Sequence, residues 1–148
     1  MASVFGSSGR PDKQQVKIDV VTKHPETGVF AMILVETGPW TPGAEEAELR
    51  RIQGRLYDCV DVAVDGHLAA EYPDSRGCPV RIQLDTYDIP EGLVRPFFDR
   101  FAEHVTTWSE VQQAIQAKQN VKSIMFEYNA RVIDGTESQK SRGGPTKG

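Results

Sequence analysis

Between residues 44 and 65 the chain carries an apolar stripe and an acidic stripe at helical spacing, and this pattern restricts the fold more than any other. At about 100° per residue, Leu49, Ile52, Leu56, Cys59, Val60 and Ala63 fall within about a third of a helix circumference. Asp58, Asp61 and Asp65 fall opposite them. Thr41-Pro42-Gly43-Ala44-Glu45-Glu46 reads as the helix entry, with carboxylates in the first turn where the helix dipole favours negative charge. Gly66 reads as the C-terminal cap. A helix with one dry side needs an apolar layer to lie on.

The flanking segments supply that layer as strands. Residues 17–23 alternate, with Ile18 and Val20 expected on one face, and His24-Pro25-Glu26-Thr27-Gly28 has turn chemistry. Residues 29–35 are apolar on both faces, which predicts a central strand covered on both sides. Residues 80–85 alternate cleanly, giving a strand with one dry and one polar face. Pro90-Glu91-Gly92 opens a second helix through Val94, Phe97, Phe98, Phe101 and Val105, with Pro96 expected in its first turn. Thr107-Trp108-Ser109-Glu110 matches a capping box ahead of a third, short helix bearing Val111 and Ile115. Residues 121–128 form the last strand. The expected fold is α+β: a two-layer sandwich with a four-stranded, mostly antiparallel sheet in the order β-β-α-β-α-α-β. Gly54, inside the long helix, predicts close approach by a neighbouring element. Helices on one side cannot cover both sheet faces, so either the Trp108 helix crosses to the second face or another chain covers it.

Residues 1–15 and 135–148 hold too little apolar surface to offset their ordering entropy. They are expected to be disordered tails on a single domain spanning 16–134. No run approaches the roughly 18 apolar residues needed to span a bilayer, and no secretory leader is evident, so a cytoplasmic, membrane-free protein is expected. Net charge is −4 over 148 residues, with the basic excess in the tails, which leaves 16–134 at −7. An acidic domain repels phosphate backbones, so nucleic acid is an unfavourable partner and a basic protein a compatible one.

A wider pattern runs through residues 17–95: Ile18-Asp19, Pro25-Glu26-Thr27-Gly28, Val35-Glu36 and Trp40, then Gln53, Leu56 and Tyr57 within the helix. It continues with Asp65-Gly66-His67-Leu68 and with Glu71-Tyr72-Pro73 leading to Gly77. This order and spacing resembles a family of small uncharacterised bacterial proteins, a domain of unknown function. The resemblance implies a β-β-α-β start and no particular activity. The second half, with the Trp108 helix, departs from that pattern.

No residue set concentrates chemistry. His24, His67 and His104 are dispersed, Cys59 and Cys78 have no metal-type spacing, and no phosphate-binding glycine pattern occurs. No catalytic residue, metal or cofactor is expected. The candidate interaction residues are Asp58, Asp61 and Asp65, as a surface for a cationic partner, and Trp40 and Tyr72, as aromatic anchors. The expectation is a non-enzymatic protein-binding module, in a concrete form an immunity- or antitoxin-like bacterial protein. The alternatives are a ligand-binding protein or enzyme with a pocket between the sheet and the Trp108 helix, and a structural homodimer joined through the open sheet face.

Overall fold

A computed structural model of the protein describes residues 18–131. The tails expected at 1–15 and 135–148 lie outside the described residues. Four strands pair in the order of the chain: β1 (Val20–Lys23), β2 (Phe30–Thr37), β3 (Pro79–Tyr87) and β4 (Ser123–Arg131). Four helices join them: α1 (Glu45–Asp65), α2 (His67–Glu71), α3 (Glu91–Thr107) and α4 (Ser109–Lys118). The α+β sandwich is as expected; α2 and the 3-10 turn Pro73–Ser75 are additions to the order.

The ladder directions correct the expected sheet. β1 and β2 pair antiparallel through the hairpin, but β2–β3 and β3–β4 are both parallel, so the sheet is mixed and not mostly antiparallel. Each parallel pair is joined by a helical crossover, which is what a parallel ladder requires. Both crossovers step the same way across the sheet. Right-handed connections of that kind place their helices on one face, and α1, α3 and α4 all pack together there. The Trp108 helix therefore covers the same face as α1, and no helix among the described residues covers the other.

Parity along each strand decides what enters the core. Phe30, Met32 and Leu34 of β2, Val80, Ile82 and Leu84 of β3, and Ile124 and Tyr128 of β4 are buried beneath the helices. They meet Ile52, Leu56, Cys59 and Ala63 of α1, the stripe that the spacing foretold. Val94, Phe98, Phe101 and Val105 of α3 complete the layer. Edge-to-face rings tie it together: Tyr57 on Phe101 at 4.8 Å and Phe101 on Phe126 at 5.7 Å. On β1 the phase differs from expectation. Val21, paired with Met32, packs toward the helices, while Val20, paired with Ile33, is 43% exposed on the other face.

Helix boundaries follow the same mixture. Gly66 adopts the left-handed conformation, φ 98°, that caps α1. The capping box does not form. Thr107 is the last residue of α3, and its hydroxyl donates back to the Glu103 carbonyl at 2.8 Å, while Trp108 turns the chain without a side-chain cap for α4. Pro96 sits inside α3, beyond its first turn. Its missing N–H leaves the carbonyl of Gly92 without a helical donor, and Gly92 is exposed, so water can serve it.

Gly54 lies on the outer ridge of α1, and a Cβ there would meet nothing within 4 Å. The close approach expected at this position is not made within the described chain. Since glycine in a helix interior costs about 1 kcal/mol against alanine, Gly54→Ala is expected to stabilise the protein by about 0.5–1 kcal/mol in urea unfolding.

Candidate functional site

The helix-free face of the sheet is built from the positions that alternate with the core. β1 and β2 give it Val20, Thr22, Ala31, Ile33 and Val35, an apolar half. β3 and β4 give it Arg81, Gln83, Asp85, Met125, Glu127, Asn129 and Arg131, a polar half in which Met125 is 40% exposed.

The centre of that polar half is closed on itself, while Arg81, Glu127 and Arg131 at its rim stay partly exposed. The Gln83 amide donates to Asp85 Oδ1 at 3.1 Å, and Asn129 Nδ2 donates to the same oxygen at 3.0 Å and to Glu127 Oε2 at 2.9 Å. Arg81 Nε donates to Gln83 Oε1 at 3.2 Å and lies 3.5 Å from Glu127 Oε1. Arg131 Nε lies 3.6 Å from Asp85 Oδ2. Gln83 and Asp85 are only 6% and 7% exposed, enclosed by their longer neighbours. A face meant for bulk water has no need of this closure. Polar groups that are to be covered do need it, because an unmet buried donor or acceptor costs about 1–3 kcal/mol.

Four recesses among the described residues lie elsewhere. At the carboxyl ends of β2, β3 and β4, the β2–α1 and β3–α3 loops enclose a cavity of about 610 Å³ lined by Trp40, Glu45, Asp88, Glu91 and Arg131 among others. Two of its carboxylates have local duties: Glu45 accepts from the Gly43 N–H, and Glu91 pairs with Arg95 at 3.0 Å. The Trp40 indole N–H is enclosed there without an acceptor among the described residues. At the opposite edge Tyr72 lines a recess of about 310 Å³ with Lys23 and Phe30. On the outer side of the helical layer, a cleft of about 320 Å³ opens between α1 and α3.

The interaction residues expected from sequence are thus dispersed. Trp40 stands at the carboxyl edge and Tyr72 at the amino edge, both packed partly against the core. Asp65 on the back of α1 is already engaged by Lys118 at 2.8 Å, and Asp58 and Asp61 have partners as well. Where the Trp108 helix meets the amino ends of β3 and β4, a shallow recess of about 330 Å³ is lined by Ile115, Gln116, Gln119, Gly77, Val121 and Lys122. His24 Nδ1 accepts from the N–H groups of Glu26 and Thr27 at 3.2 Å, which fixes its turn, and His104 stacks on Trp108 at 5.0 Å. Among the described residues no three His, Cys, Asp or Glu side chains converge as a metal site requires. Burial pushes the Cys59 thiol up to about 12, so it is not a ready nucleophile.

Sequence reasoning missed Gln83, Asp85, Glu127 and Asn129. The available signal was parity: polar residues at every second position, Met125 excepted, of two strands that proved adjacent. It becomes visible only once β3 and β4 are known to be neighbours in parallel register.

A second feature missed from sequence sits on the helix side. Glu36 continues the inward parity of Phe30, Met32 and Leu34 and is 5% exposed. Arg51 grips it with both nitrogens, at 2.6 and 3.0 Å, and Arg55 adds a third contact at 2.6 Å. Arg55 also reaches Asp19 Oδ2 at 3.2 Å, the oxygen that accepts the Val35 N–H at 2.7 Å. Burial acts to raise the Glu36 pKa, but the hydrogen bonds and charges of Arg51 and Arg55 outweigh it and hold it below the ordinary 4.5. This cluster locks α1 onto the β1–β2 hairpin.

Comparison of the chain with protein-family models, with curated proteins and with solved structures finds no match.

Proposed function

We propose that the protein is a binding module whose working surface is the helix-free sheet face and whose occupant is a second copy of the same chain. The observation that carries this reading is the side-chain network of Arg81, Gln83, Asp85, Glu127, Asn129 and Arg131 beside the apolar strip of Val20, Ile33 and Val35. The network satisfies Gln83, Asp85 and Asn129 internally, the exposed guanidinium N–H groups of Arg81 and Arg131 are left for the partner to meet, and the strip supplies the apolar burial.

Charge favours an identical partner. Residues 18–131 carry eleven Lys and Arg against eighteen Asp and Glu, so two copies repel over most of their surface. The sheet face holds two arginines and two carboxylates and is neutral. A two-fold axis through it matches apolar strip with apolar strip and sets each chain's arginines near the other's carboxylates. Strands of four, eight, nine and nine residues, at about 3.3 Å per residue and about 4.8 Å apart, make a patch of roughly 480 Å², so a pair covers roughly 950 Å², the size of a weak interface. A micromolar dimer is expected, in line with that area.

Light scattering on a sizing column tests it. The wild-type chain at tens of micromolar is expected to show twice its 16.4 kDa mass. Ile33→Glu, which places a charge in the middle of the face and leaves the helix-side core intact, is expected to run as a monomer with unchanged circular dichroism. A wild-type chain that stays monomeric at roughly 100 μM, about a hundredfold above the expected constant, overturns the proposal.

A further inference from the structure

The geometry points to a second binding site, in the cleft between α1 and α3, for a small aromatic carboxylate. The cleft of about 320 Å³ is lined by Gln53 and Tyr57 of α1 and by Phe97, Arg100, Phe101 and His104 of α3. Its size is at the lower end of what a small-molecule site needs.

Arg100 is the informative residue. Every other described arginine, from Arg50 to Arg131, has a hydrogen-bond or ion-pair partner, whereas Arg100 has none among the described residues. It is not short of acids, since Asp99 and Glu103 stand beside it on α3. In helical projection those two fall on the far side of Arg100 from Phe97, Phe101 and His104, so the guanidinium shares its side of α3 with the ring wall instead. A guanidinium presents a planar pair of N–H donors, which a carboxylate matches with both oxygens. Gln53, whose amide also has no partner among the described residues, stands across the cleft as a further donor.

The floor selects the other end of the ligand. Tyr57 and Phe101 meet edge to face at 4.8 Å, Tyr57 and Trp108 at 6.3 Å, and Phe101 is anchored from beneath by Phe126 at 5.7 Å. These rings are fixed by their neighbours, so a flat apolar body entering the cleft meets a preformed wall and orders little of the protein. An aromatic ring carrying one carboxylate satisfies both ends. The site is on the opposite layer from the helix-free sheet face, so it stands whether or not that face joins two copies.

Benzoate is the probe, with benzamide and acetate as controls, followed by amide-proton NMR on the full chain. Benzoate is expected to shift signals of residues 53–57 and 97–104 saturably, with a dissociation constant on the order of 1 mM. Benzamide, which lacks the charge, and acetate, which lacks the ring, are each expected to bind at least tenfold more weakly. Arg100→Gln, on an exposed position that leaves the fold intact, is expected to weaken benzoate at least tenfold. Absence of saturation at roughly 20 mM, shifts that map elsewhere, acetate binding as well as benzoate, or an Arg100→Gln variant that binds normally would each overturn the assignment.

Discussion

Replacing Glu36 with alanine is expected to lower unfolding stability by about 3 kcal/mol, measured by urea denaturation at neutral pH. The side chain is buried at the inward end of β2 and accepts from both Arg51 and Arg55. Breaking a buried pair by removing one partner typically costs about 3–5 kcal/mol, because the remaining charge is left without compensation. The lower end applies here, since the Arg51 side chain is 50% exposed and regains water. Arg55 regains less, at 20% exposure, but keeps Asp19. The same carboxylate sets a pH dependence. Its folded pKa lies below the ordinary 4.5, so the folded state holds it ionised and the unfolded state binds the proton more readily. Its stabilisation is therefore complete above about pH 4.5 and disappears as pH falls through the folded value. Glu36→Gln removes that titration. The wild type is expected to lose its advantage over Glu36→Gln as pH drops below 4.5, so the two stability curves converge in acid. A constant gap between the curves down to pH 2.5 would mean that Glu36 is not the group responsible.

This cluster also marks the boundary of what the sequence made legible. Periodicity announced α1, because six apolar residues on one arc can be buried only by a helix on a layer, and all of Ile52, Leu56, Cys59, Val60 and Ala63 are in the core. The doubly apolar run of β2 announced a central strand, and β2 does lie between β1 and β3. Strand direction is a different kind of information. Nothing in the alternation of Val80 to Asp85 says which way its neighbours run; the evidence was the length of the helical connections, which only a parallel ladder accommodates. Once two parallel crossovers are recognised, handedness puts every helix on one face and leaves the second one bare. The sheet-face network and the Glu36 cluster could not be read before that step, because each joins residues at least fifteen positions apart as well as near neighbours. The expected acidic stripe had the converse problem. Asp58, Asp61 and Asp65 are on the outer side of α1 as the spacing implied, yet chain folding brings Lys118 to Asp65, and local periodicity carries no trace of that contact. Trp40 and Tyr72 show the same limit, since aromatic type alone does not say that the sheet will hold them at opposite edges.

Gly38→Ala is expected to be the most damaging substitution of a single methyl group in the described chain, at about 3 kcal/mol. Gly38 extends the β2–β3 ladder by one bond, its N–H donating to the Tyr87 carbonyl at 2.8 Å. The chain then enters Pro39 and Trp40, while β3 passes into Asp88, which adopts φ 60°. The two exits cross so closely that a Cβ on Gly38 would overlap the Asp88 carbonyl oxygen and press on the Ile89 side chain. Overpacking a core usually costs about 1–3 kcal/mol because side chains can turn aside. Here the obstacle is backbone, so relief requires moving the end of β3 or giving up the Gly38–Tyr87 bond, which places the cost at the top of that range. The damage should also be directional. Both segments line the carboxyl-edge cavity, so amide exchange is expected to quicken first at residues 38–40 and 87–90, well ahead of the α1 core. Gly54→Ala supplies the contrast on the same chain, adding the same methyl where nothing stands within 4 Å. If Gly38→Ala unfolds at the wild-type urea midpoint, the tight crossing of the β2 and β3 exits is not a constraint on this fold.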